Sequence, residues 1–223
     1  MKPIIKSFFL NNKIKYLSLF LFIVPTITII ISYIFSLYLN LVPSCIPPVD
    51  GCTSISRTGR YFPVNLFFKS SLFFSGILIF LYWFKNFHFF SNLNNRKLIH
   101  IAFFCGIVSI LFLFMYLFFL GDHDYYKFFR KIGIFIYLLF SVISEFILAL
   151  IYYKNLKIKS LFDRFYIKFK LFLNILLVSL GIILFPFMIM KIDNVAELRN
   201  IISWNYFFLI QLNFLFTFLI WKK

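Results

Sequence analysis

The chain has 223 residues, of which 62% are apolar and 24% aromatic, and its formal charge is +16. With a mean hydropathy of +0.94 it is no soluble domain, and several apolar runs exceed the roughly 18 residues that mark a transmembrane helix. The charge does not point to nucleic acid, because the basic residues sit in short loops between apolar spans rather than on a soluble face. Phe is abundant and Ala scarce, a bias that a low-GC genome produces, so the Phe count carries no functional reading.

In chain order, Lys2, Lys6, Lys13 and Lys15 precede an apolar run at 16–39. That run is too long for a signal-peptide core and no small-residue cleavage site follows it, so it reads as a retained first span, with Pro25 as a candidate kink. A polar, Pro- and Gly-containing loop follows at 40–65. The second span is expected at 66–84, with Lys69 in its first turn, where a lysine snorkels to the interface. Lys85, Arg96 and Lys97 form a basic loop before a third span at 98–120. Asp122, His123 and Asp124 form a polar turn before a fourth span at 132–153, which carries Glu145. The next loop is the most basic, with Lys154, Lys157, Lys159, Arg164, Lys168 and Lys170. The fifth and sixth spans are expected at 171–190 and 201–221. The pattern predicts one all-α domain over 1–223, a polytopic bundle of six transmembrane helices. Lys and Arg concentrate on the side of the termini, which places both termini in the cytosol and the 40–65 loop in the lumen or exterior. No internal repeat is visible, which counts against a transporter built from inverted halves.

The stretch 45–69 concentrates the candidate chemistry. Cys45 and Cys52 share a non-cytosolic loop, where they either close a small disulfide ring around Pro47 and Pro48 or remain two thiols. Ser54, Ser56, Arg57 and Arg60 supply hydroxyls and guanidiniums around Gly59, and Lys69 adds a charge from below. Such groups suit a phosphate or carboxylate head group; the plainer reading is a polar loop touching ordinary anionic lipid. Glu145 lies roughly 20 Å from the outer end of its span, with Asn213 at similar depth. An ionisable residue there costs at least ~2.5 kcal/mol on insertion scales and must face the bundle or a wet cavity. It either acts in function, as in a small channel or transporter, or fixes packing by bonding Asn213, Ser141 or a polar group of the fifth span. Asp122 and His123 at the outer mouth read as a base or pH sensor, or as a solvated turn. His88, His100 and His123 are far apart and the cysteines lack metal-ligand spacing, so no metal and no cofactor is expected. There is no P-loop, Gly-rich nucleotide fingerprint or triad order.

Six spans whose first loop reads Cys-x6-Cys-Thr-Ser-Ile-Ser-x-x-Gly-x-x-x-Pro, followed by a second span with Tyr82-Trp83, resemble the superfamily of post-GPI-attachment factor 2 and the damage-regulated autophagy modulators. The Ser54-Ile55-Ser56, Gly59 and Pro63 arrangement carries the resemblance, and a last span with Trp204 and Asn213 extends it. The upstream Val42-Pro43-Ser44-Cys45 and the Tyr-Trp pair are most similar to the post-GPI-attachment factor branch. The resemblance implies a Golgi or ER protein that acts in lipid remodelling of GPI-anchored proteins. Its partner would be a membrane lipid or a GPI-anchored protein, and the resemblance does not say whether the protein is itself an enzyme. The other branch implies a non-catalytic regulator of autophagy or trafficking at the lysosomal membrane, with a membrane-protein partner. In this sequence Val64 stands where a glutamate often follows the loop proline, and Ser203-Trp204-Asn205-Tyr206 stands where the family places an acid beside the aromatic.

Overall fold

A computed structural model describes residues 2–91, 96–121, 124–155, 162–189 and 196–221. The elements are α1 (Lys2–Tyr38), two single-turn helices α2 (Pro47–Asp50) and α3 (Ile55–Thr58), then α4 (Val64–Phe90), α5 (Arg96–Phe118), α6 (Asp124–Lys154), α7 (Arg164–Ile189) and α8 (Ala196–Ile220). Six of these are long and apolar enough to cross a bilayer. Helices dominate because a chain in hydrocarbon must satisfy every backbone N–H and C=O internally. The protein is an all-α, multi-pass integral membrane protein.

Every spanning helix reaches beyond at least one expected bound. Hydropathy marks only the stretch that crosses hydrocarbon, whereas helical hydrogen bonding continues through the interface. Lys85 is therefore on α4, Arg96 and Lys97 on α5, and Arg164, Lys168 and Lys170 on α7 rather than in loops. Lys69 falls in the second turn of α4, not the first. The expected 40–65 loop contains α2 and α3. Pro25 lies inside α1 without ending it. Thr26 and Thr28 donate to the carbonyls of Phe22 and Val24, at 2.6 and 2.7 Å, around the residue that has no N–H of its own.

The spanning helices follow chain order in space. Each packs on the next, α1 on α4 and so on to α8, which closes against α1. α5 and α6 approach closely enough that a Cβ on Gly133 would meet the Tyr116 backbone at 3.0 Å. The centre is filled by Tyr82 and Trp83 of α4, both essentially fully buried, with Tyr82 edge-on to Phe214 of α8. Large apolar side chains such as Phe104, Leu111, Phe172 and Ile182 point outward, as expected where the solvent is lipid.

The two ends of the bundle differ. At one end α2 and α3 form a cap over α1 and α8. At the other, the Asp163 N–H donates to the Ile220 carbonyl at 2.9 Å, and Phe162 and Trp221 pair as an isolated β-bridge. There Phe89, Phe90, Tyr152, Phe162 and Trp221 interlock edge to face and plug the bundle.

Candidate functional site

The cap is built on the disulfide between Cys45 and Cys52, seven positions apart. Inside that ring Pro47 starts α2 with its φ already set for a helix. Asp50 accepts the Ile46 N–H at 2.7 Å, and Gly51 ends the turn at φ +66°. A side chain at Gly51 would drive into the Glu197 backbone, so glycine is required there on two counts.

Buried loop carbonyls must find donors, and α1 and α8 supply them. Tyr33 donates to the Cys45 carbonyl at 2.6 Å and accepts the Cys45 N–H at 3.2 Å, and Ser36 donates to Thr58 at 2.6 Å. From α8, Asn200 donates to Gly51 at 2.7 Å, Trp204 Nε1 to Thr53 at 2.9 Å and Asn205 to Pro48 at 2.8 Å. Asn65 ties the end of the loop to α5 by donating to the Arg60 and Leu120 carbonyls, at 2.7 and 3.2 Å.

On this platform the predicted residues divide. Ser54 is the N-cap of α3, accepting the Arg57 N–H at 3.3 Å, and its hydroxyl lies 3.3 Å from that of Ser56. Arg57 is exposed. Arg60 is half-buried, with its Nε enclosed by the protein. Arg130 is 8% exposed and donates to the Gly121 carbonyl at 2.7 Å. Lys69 is half-buried. Asp122 and His123 lie outside the described residues.

Glu145 and Asn213 belong to a separate place. Glu145 lies 21 residues into α6 and nine from its end, roughly 32 and 14 Å, because the helix starts at Asp124 rather than near 132. Its distance from the plugged end stays close to the expected eight residues, since the helix lengthens almost wholly at its other end. Its partner is Lys170, which the sequence places in a basic loop. The ammonium is fully buried and donates to Glu145 Oε2 at 2.6 Å, the Asn213 carbonyl at 3.1 Å and Thr217 Oγ1 at 2.5 Å. All three of its protons are used. Asn174 donates to Asn213 Oδ1 at 2.5 Å, Tyr82 lies 3.3 Å from Thr217, and Tyr152 donates to Asn86 at 3.3 Å. The network thus ties α4, α6, α7 and α8. Trp204 at the cap and Thr217 in the network are 13 residues apart on α8, roughly 20 Å, so the two predicted sites do not form one centre. Among the described residues no three His, Cys, Asp or Glu side chains gather as a metal site requires.

Reasoning from sequence missed the anchors of the cap and the lysine of the network. A signal for each is present. Asn200, Trp204 and Asn205 open an otherwise apolar span, and Lys170/Asn174 and Asn213/Thr217 each repeat at four residues, one helical face.

Six membrane-crossing helices in chain order, with a disulfide-braced cap between the first two, define a multi-pass membrane protein whose first loop is folded onto its last helix. Residues 13–221 match the family described as the Frag1/DRAM/Sfk1/Cwh43P N-terminal domain, and the chain belongs to that family. No curated protein and no solved structure matches it.

Proposed function

We propose that the protein acts in lipid remodelling of GPI-anchored proteins, in a Golgi or ER membrane. In this reading it is closest to the post-GPI-attachment factor branch and meets an anionic lipid head group at the lumenal leaflet through its first loop. One observation carries the reading. Arg57 is exposed on a turn that a disulfide and five side-chain donors from α1 and α8 hold rigid. The backbone of the turn is pre-set, so little loop ordering is lost on meeting a phosphate, and the planar fork of the guanidinium matches two of the phosphate oxygens. The family and the Ser-Ile-Ser, Gly and Pro spacing of the loop support the same direction.

The test is anchor lipid composition by mass spectrometry in cells lacking the protein. Wild type is expected to restore the remodelled saturated chain, and an Arg57→Gln/Arg60→Gln variant at equal abundance to leave anchors unremodelled. Normal anchors with that variant overturn the reading.

A non-catalytic regulator of trafficking or autophagy is the second reading. It is favoured by the way hydroxyls at the cap are engaged: Ser54 caps α3, and Ser56 lies against Ser54. A role for Glu145 in conduction is disfavoured by its bond to a fully engaged lysine and by the aromatic plug beside it.

A further inference from the structure

On the face of α8 turned away from the cap, a groove of about 560 Å³ opens between α6, α7 and α8. Leu138, Val142, Val178, Ile182, Ile202 and Tyr206 are among the side chains that line it. Two hydroxyls in its wall are spent on backbone. Ser203 donates to the Asn200 carbonyl at 2.8 Å and Tyr206 to the Leu177 carbonyl at 3.2 Å. The described lining of the groove is therefore apolar, and its three helices are each long and apolar enough to cross a membrane, so the groove opens on a lipid-facing surface.

The groove has polarity along its length. Its stripe on α8 is Ile202, Ser203 and Tyr206, and Arg199 stands three and four residues before the first two, on the same face and roughly 5–6 Å nearer the start of the helix. Its stripe on α6 is Phe135, Leu138, Leu139 and Val142, and the exposed Lys131 precedes Phe135 by four. The start of α8 bonds the cap directly, and α6 begins just after Leu120, whose carbonyl bonds Asn65 beside the cap. Both cations therefore flank the same mouth, at the cap end. A cationic rim over an apolar groove of this volume has the shape of one amphiphile, and the volume is within the range of ordinary ligand sites.

We propose that this groove is an acyl-chain site for one anionic phospholipid drawn from the leaflet at the cap end. The chain lies along Leu138, Val142 and Ile182, and the phosphate lies between Lys131 and Arg199. The site is on a different face from Arg57 and stands independently of the head-group reading of the loop.

The probe is a phosphatidylglycerol with a diazirine in the last third of one acyl chain, photolysed with the purified protein in phosphatidylcholine nanodiscs and mapped by peptide mass spectrometry. Labelling is expected to concentrate on the groove residues. Leu139 and Ile182, 43% and 71% exposed, can be enlarged without filling the core. Leu139→Trp/Ile182→Trp is expected to lower groove labelling at least fivefold, while Arg57→Gln/Arg60→Gln leaves it unchanged. Lys131→Gln/Arg199→Gln is expected to bring labelling down to that of a phosphatidylcholine probe. Labelling spread equally over the outward face of α5 at Phe104 and Leu111, or unmoved by the tryptophans, overturns the site. An unchanged preference for the anionic probe in the charge variant overturns the phosphate position.

Discussion

The cap and the buried network both tie helices together, but with opposite chemistry. In the cap, neutral side chains of α1 and α8 donate to loop carbonyls, and a covalent bond closes the ring. The network is built on a buried ion pair. A cap built this way can leave a charge outside, as it does with Arg57. A buried ion pair must use its charges internally, as Lys170 and Glu145 do. The difference separates what is available to a ligand from what holds the bundle.

The largest effect expected is at the network. Lys170→Met leaves the Glu145 carboxylate buried without its cation, which costs about 3–5 kcal/mol, whereas replacing both partners by apolar residues is often neutral. Thermal melts in detergent are expected to show a large fall for Lys170→Met and recovery of most of it in Lys170→Met/Glu145→Leu. A double variant no better than the single would mean that the pair contributes net stability.

The next effect is at the ring of the cap. Cys52→Ser releases a closed loop of about eight residues, which on the chain-entropy account lowers stability by about 2–3 kcal/mol. A melting point sensitive to reductant in the wild type and insensitive in the variant checks it. Smaller again is Trp204→Phe, which removes the donor to the Thr53 carbonyl and leaves that acceptor unpaired, for about 1–3 kcal/mol. Faster amide exchange confined to 45–60, with the network unchanged, is the expected signature; exchange rising along all of α8 would mean that Trp204 holds the bundle and not the cap.

The architecture was legible because hydropathy reports directly on the cost of placing backbone and side chain in lipid. The Cys-x6-Cys loop was legible as a concentration of turn-formers and hydroxyls. The fate of Lys170 was not, because a lysine beside an apolar run is ordinarily an interfacial residue, and only the side chains converging from α6 and α8 make burial tolerable. The cap anchors were hidden for a related reason. Asn200 and Trp204 satisfy carbonyls about 150 positions earlier in the chain, and no local pattern encodes that distance.

We propose that ligand recognition belongs to the cap and that the network is structural. Cells lacking the protein, re-expressing either Arg57→Gln or Lys170→Met/Glu145→Leu at equal abundance, test it through the lipid composition of their GPI anchors. The account predicts unremodelled anchors with Arg57→Gln and remodelled anchors with the network double variant. Remodelled anchors with Arg57→Gln and unremodelled anchors with the network variant would contradict it and move the function to the buried pair.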